Sequence, residues 1–82
     1  MKFEVGKAYE VRLGAKHRGS LIRAKYVEKY EDIENCHVIE MISPISWRGN
    51  KSTLLLQKEL LWKHGTGIYF MVDTKQILKE VK

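Results

Sequence analysis

The chain has 82 residues, of which 44% are hydrophobic and 30% are charged, with six Gly, one Pro and one Cys. This length has room for one hydrophobic core, so residues 1–82 are expected to form a single domain. The composition excludes a disordered, collagen-like or disulfide-stapled chain. A lone Cys36 cannot form an internal disulfide, which favours a reducing, cytoplasmic setting. No apolar run reaches the ~18 residues of a transmembrane helix, so no membrane contact is expected.

The charge is positive and unevenly distributed. Lys and Arg number 15 against 10 Asp and Glu, for a net charge of +5. Residues 1–30 carry eight bases and three acids, residues 31–46 carry four acids and neither Lys nor Arg, and residues 47–82 carry seven bases and three acids. Such a balance attracts polyanions or acidic protein surfaces, and it also suits a merely solvated surface.

The first half of the chain predicts a β-hairpin. Residues 7–13 alternate apolar and polar side chains, the glycine-bounded segment 14–19 reads as a loop, and residues 20–30 alternate again. Pairing Val11 with Ile22 and Tyr9 with Ala24 makes one face apolar throughout, and the same register puts Leu13 opposite Ser20.

A third strand is expected after a turn at residues 31–35, where Asn35 suits the left-handed conformation. Residues 36–43 are apolar on both faces, with Val38 and Ile42 on one and Ile39 and Met41 on the other. Pro44 is expected to end this strand because it has no N–H for the ladder.

The second half predicts one further strand and two helices. Residues 53–63 fit a helix, stopped by Gly65 and burying Trp62, although Leu54–Leu56 also fits a short buried strand. Residues 67–73 are rich in β-branched and aromatic residues and predict a strand. Asp73 and Gln76 form a capping-box pattern, which predicts a final short helix over residues 74–81.

The chain opens with the pattern Phe3-x-Val5-Gly6-Lys7-x-Tyr9-x-Val11, and a polar, glycine-flanked loop and two further strands follow it. This arrangement resembles the small SH3-like β-barrels of bacterial and phage proteins. The resemblance covers residues 3–43. It implies binding rather than catalysis, with nucleic acid and protein segments as ligand classes. The expected fold is α+β and mostly β, either a small SH3-like barrel or a curved antiparallel sheet with one or two short helices in the second half.

The sequence contains no recognisable pattern of catalytic or metal-binding residues. His17, His37 and His64 lie in different elements without the spacing of a zinc site. Cys36 and His37 are neighbours on a strand, so their side chains diverge, and Cys36 is interpreted as a buried structural cysteine. The segment 65–67 lacks the ending of a phosphate loop and is interpreted as a plain turn. The chain is therefore expected to be neither an enzyme nor a metal or cofactor protein.

With catalysis and metal binding not expected, the sequence favours a function in binding. The candidate nucleic-acid site has three parts: the polar face of the hairpin, the loop of the hairpin, and a second loop that contains an aromatic residue. Its residues are Arg12, Arg23 and Lys25 on the polar face, Lys16 and Arg18 in the first loop, and Trp47, Arg48 and Lys51 in the second loop. Bases of this kind follow phosphates while aromatic rings stack on nucleobases. Two structural alternatives are a Glu10–Arg23 cross-strand ion pair and a Trp47 side chain that plugs the barrel.

Two functional hypotheses follow. The first is a small intracellular module that binds DNA or RNA through the hairpin and the loop at residues 47–51. The alternative is a phage-type effector, acting in the host cytoplasm, that docks on a host protein. Its basic face would then meet an acidic partner, and its edge strand would add to a partner sheet.

Overall fold

The computed structural model describes residues 2–31, 33–49 and 67–81. Within these ranges five strands form, β1 (Ala8–Arg12), β2 (Leu21–Lys29), β3 (Cys36–Ser46), β4 (Tyr69–Asp73) and β5 (Ile77–Glu80). They make one antiparallel sheet in the order β4-β3-β2-β1-β5, which does not close into a barrel. The expectation of a mostly β protein is confirmed. The predicted helix over 53–63, its alternative strand and Trp62 lie outside the described residues.

The predicted first hairpin is confirmed residue by residue. Tyr9 pairs with Ala24, Glu10 with Arg23 and Val11 with Ile22, and the backbone N–H of Leu13 donates to the carbonyl of Ser20 at 2.8 Å. The alternation of apolar and polar side chains fixes this register, because a slip by one residue would turn the whole apolar set to solvent. The turn between β2 and β3 also forms as expected, with Asn35 at φ 61°.

The third strand is longer than predicted. It runs through Pro44, which lies opposite Ile22 between two register shifts of the β2–β3 ladder. Ile42 and Ile45 are the extra residues at those two shifts, and both are about half exposed. The expectation that Pro44 ends the strand was wrong because a bulged ladder tolerates a residue without an N–H. The same bulges turn Ile42 outward, although the pattern had placed it in an apolar face.

The predicted C-terminal helix is also wrong. The capping box of Asp73 and Gln76 forms, but it closes a single 3-10 turn, Thr74–Gln76. The chain then extends as β5 along the edge of β1, with Ile77 opposite Val11. Edge pairing satisfies the backbone groups of this segment and still buries Ile77, so the tertiary context outweighs the local helix signal. The other 3-10 turn, Ala15–His17, lies in the first loop.

The core lies on the inner face of the curved sheet. It consists of buried residues from all five strands and the first loop, Tyr9, Val11, Leu13, Ile22, Ala24, Tyr26, Ile39, Phe70, Val72 and Ile77. The predicted inside set of the hairpin is therefore confirmed. A smaller cluster of Val27, Val38 and Tyr69 forms where the β2–β3 register shifts again. Within the described residues, no helix is long and apolar enough to cross a bilayer.

Candidate nucleic-acid interface

The outer face of the hairpin carries the predicted bases. Arg12, Arg23 and Lys25 are all exposed, as the alternation of β1 and β2 predicts. Their positive charges are not equally available. Lys25 Nζ lies 3.4 Å from a carboxylate oxygen of Glu40 on β3, so its charge is partly balanced. The charge of Arg23 has no acidic partner among the described residues.

Other lysines of the sheet are balanced in the same way. Lys79 Nζ on β5 lies 3.7 Å from the carboxylate of Glu10, which is where the sequence had suggested a Glu10–Arg23 ion pair. Lys7 Nζ lies 3.9 Å from Glu80 and 3.5 Å from Glu4, and the carboxylates of Glu80 and Glu4 raise the pKa of the Lys7 ammonium. Acidic side chains of β1, β3 and β5 thus compensate Lys79, Lys25 and Lys7, whereas Arg23 and Lys29 on β2 have no ion pair within the described residues.

The first loop, residues 14–19, is tight and is held by backbone hydrogen bonds. The carbonyl of Gly14 accepts from the N–H groups of both His17 and Gly19. Arg18 and Gly19 both take positive φ, at 54° and 68°, and Arg12 Nη1 donates to the carbonyl of Gly19 at 2.9 Å. The loop therefore holds Arg12 beside the exposed side chains of Lys16 and Arg18.

His17, between the exposed Lys16 and Arg18, is buried. It is 6% exposed, and its ring meets the Phe70 ring edge-on at 5.1 Å. Burial lowers the pKa of the His17 imidazole, and the charge of Lys16 lowers it further. A ring that faces the core favours the neutral state, so His17 contributes to packing.

Ser20 joins the two predicted binding loops. Its hydroxyl is fully buried and donates to the carbonyl of His17 at 2.7 Å. The same oxygen accepts from the backbone N–H of Arg48 at 2.7 Å and of Gly49 at 3.2 Å. Sequence reasoning did not assign a role to Ser20. The available signal was a hydroxyl at an inward-facing position of the hairpin, opposite Leu13.

This junction gathers four exposed bases at one end of the sheet, which we call the loop-end cluster: Arg12, Lys16, Arg18 and Arg48. None of the four has an ion pair within the described residues. Of the other predicted site residues, Arg23 and Lys25 lie farther along β2, and Lys51 lies outside the described residues. The fold thus brings together bases that are 36 positions apart in sequence.

Trp47 is half-buried and packs against the core. Its ring lies 5.6 Å from that of His17, and an added Cβ at Gly49 would come 3.1 Å from its six-membered ring. Its indole nitrogen is buried and lacks a hydrogen-bond partner within the described residues. These contacts favour the plug interpretation of Trp47 and leave little of the ring for stacking on a nucleobase.

The opposite end of the core holds a second buried histidine in a hydrogen-bonded chain. Tyr26 Oη lies 2.8 Å from His37 Nδ1, and His37 Nε2 lies 2.8 Å from the Thr74 hydroxyl. Thr74 in turn donates to the Asn35 side chain, so the consistent assignment is a neutral imidazole that donates from Nε2. Burial lowers the pKa of His37 and raises that of Tyr26, which keeps both groups uncharged.

Cys36 differs from expectation in one respect. It is half-buried rather than buried, and it forms no disulfide. Its neighbour His37 is engaged with Tyr26 and Thr74 on the core side of β3. The predicted divergence of the two side chains follows from the alternation of the strand.

The described residues contain no group of three or more His, Cys, Asp or Glu side chains placed to hold a metal ion. Comparison of the chain with protein-family models, with curated proteins and with solved structures finds no match.

Proposed function

We propose that the protein is a non-catalytic module that binds single-stranded nucleic acid through the loop-end cluster. The observation that carries this proposal is the separation of compensated from uncompensated bases. Lys7, Lys25 and Lys79 lie 3.4–3.9 Å from carboxylates, whereas the four bases of the loop-end cluster have no ion pair within the described residues and gather at the end of β1 and in the two loops that Ser20 joins.

An uncompensated cluster of this kind suits a phosphate backbone. Each Lys or Arg that contacts a phosphate releases condensed counterions, and this release supplies most of the sequence-independent affinity. The Arg12 guanidinium is held by its own hydrogen bond to the Gly19 carbonyl, whereas at Arg48 the bond to Ser20 holds the backbone N–H. Positioned cations lose less conformational freedom on binding than free ones do.

The choice of single strands over duplex follows from the shape of the surface. Within the described residues, the cluster lies on the last residue of β1 and on short loops at one end of the sheet. Strand-rich proteins that bind single strands combine such a basic surface with apolar or aromatic groups that contact the bases. The SH3-like barrels that residues 3–43 resemble have nucleic acid among their ligand classes, which is compatible with this proposal.

A second candidate function is docking on an acidic protein. Among the described strands, β4 pairs only with β3, and its Met71 is 59% exposed. An edge strand with an exposed apolar side chain can add to a partner sheet, while the loop-end cluster would meet acidic side chains. This arrangement is the alternative that the first experiment separates from nucleic-acid binding.

The experiment is a fluorescence-anisotropy titration with labelled single-stranded and duplex oligonucleotides at a low and a moderate salt concentration, with a labelled acidic peptide of equal charge as the third ligand. We expect tightest binding to the single strand and a marked loss of affinity at the higher salt. Binding of the peptide without binding of either oligonucleotide at low salt would replace the proposal with the protein-docking function.

A further inference from the structure

A cavity of about 300 Å³ lies between the first loop and β4, directly beside the loop-end cluster. Leu13, Phe70 and Val72 give it an apolar wall, and exposed Met71 stands at its rim. The volume lies at the lower end of the range of about 300–1,000 Å³ that is typical of small-molecule sites.

The polar groups of the cavity are few and fixed. Gln76 is held on both sides, since its Nε2 donates to the carbonyl of Arg12 and its Oε1 accepts from the N–H of Asp73. His17 also lines the cavity, and its Nδ1 is buried without a hydrogen-bond partner among the described residues.

From this geometry we infer that the cavity receives one unpaired nucleobase of the bound strand. A nucleobase has apolar faces, which the exposed Met71 at the rim can contact above the largely buried floor of Leu13 and Phe70. Its attached phosphate is anionic, and Lys16 both lines the cavity and belongs to the loop-end cluster. The inference rests on the proposed function, and it adds a base-binding site to a surface that otherwise reads only phosphates.

Gly14 provides a direct way to fill the cavity. It is an exposed lining residue with φ −77° and ψ −172°, an extended conformation that any residue adopts. An added Cβ would lie 3.9 Å from Gln76 Nε2, which is ordinary contact. Gly14→Leu therefore places a side chain against the cavity wall without backbone strain, and Ala15→Leu adds the same side chain next to the cavity as a matched control.

The test compares two strands of equal length and charge, one with bases and one fully abasic, bound to the wild type and to both variants. We expect the wild type to prefer the base-containing strand by about 5- to 150-fold, the range of one stacked base. Gly14→Leu should abolish this preference while leaving the affinity for the abasic strand unchanged, and Ala15→Leu should keep it. Equal affinity of the wild type for the two strands would overturn the cavity inference while the proposed function stands. Failure of both strands to bind would overturn the two together.

A second measurement uses the wild-type protein alone and does not depend on the folding of a variant. Nuclear magnetic resonance spectra of the His17 and Phe70 rings are recorded during titration with a nucleoside 5′-monophosphate, with ribose 5-phosphate as the control. We expect both rings to shift with the nucleotide and not with the sugar phosphate. Unchanged ring signals, or equal shifts with the two compounds, would contradict a base in the cavity.

Discussion

The hydroxyl oxygen of Ser20 accepts a hydrogen bond of 2.7 Å from the backbone N–H of Arg48, 28 positions further along the chain. Ser20 begins the return of the first hairpin, and Arg48 follows the end of β3. This one contact, with its companion from Gly49, makes the loop-end cluster a single surface rather than two separate basic loops.

Ser20→Ala should therefore affect both stability and binding. The substitution leaves the N–H groups of Arg48 and Gly49 without their acceptor, and an unsatisfied buried group costs about 1–3 kcal/mol. Urea denaturation measures the loss of unfolding free energy, and anisotropy measures the weakened binding of a single strand. Ser46→Ala, at an exposed position of β3, is the matched control and should change neither. Wild-type stability in Ser20→Ala would show that the junction does not hold the two loops.

Two isoleucines of β3 are expected to contribute unequally to stability, because a bulge turns Ile42 outward while Ile39 stays in the core. Ile39 is fully buried in the core, so Ile39→Ala should cost about 2–5 kcal/mol of unfolding free energy. Ile42 is 54% exposed at a bulge, so Ile42→Ala should change the stability by about 0.5 kcal/mol or less. Urea midpoints of the two variants check this contrast, and similar losses in both would mean that Ile42 is packed inward.

His17 and His37, the two histidines buried among the described residues, predict loss of stability at mildly acidic pH. Burial lowers the pKa values of His17 and His37 in the folded protein. The unfolded chain, with histidine pKa values near 6.5, therefore binds more protons once the pH falls below about 7. Their contribution is fully present above the unfolded pKa and is lost as the pH falls from there toward the folded values.

Urea midpoints between about pH 7.5 and pH 5, a range above the ordinary carboxyl pKa values, measure this dependence. His17→Phe keeps an aromatic ring against Phe70 and removes the titrating group, so it should reduce the loss of stability. His37→Gln should reduce it as well, although it starts from a lower stability because the Tyr26–His37–Thr74 chain is broken. An equal acid dependence in the wild type and both variants would assign the effect to other groups.

Much of the fold follows from local sequence patterns, and the failures have physical causes. The first hairpin was predictable because the alternation of apolar and polar side chains in its two strands and the position of its glycine-bounded loop both indicate the same strand register. The capping box of Asp73 was real, but its helix gave way to an edge strand since β1 offered hydrogen-bond partners that no local pattern reveals. Pro44 was misjudged because the bulges on either side of it depend on the pairing with β2.

The candidate site was predictable as a set of exposed bases but not as an arrangement. Alternation placed Arg12, Arg23 and Lys25 outside, as observed. The ion pair of Lys25 with Glu40 and the Ser20–Arg48 bond join positions far apart in sequence, so neither could be read from spacing. Sequence reasoning weighted all of these bases equally, whereas the structure distinguishes compensated from uncompensated charges.

Binding at the loop end of the sheet is tested by the salt dependence of single-strand binding in Lys16→Gln and Lys29→Gln. Both substitutions remove one exposed lysine, Lys16 in the loop-end cluster and Lys29 at the opposite end of β2. Because each phosphate contact on a single strand contributes about 0.7 to the slope of log affinity against log salt, Lys16→Gln should reduce the slope by about that amount. Lys29→Gln should leave the slope at the wild-type value. A reduced slope in Lys29→Gln and an unchanged slope in Lys16→Gln would contradict binding at the loop end of the sheet.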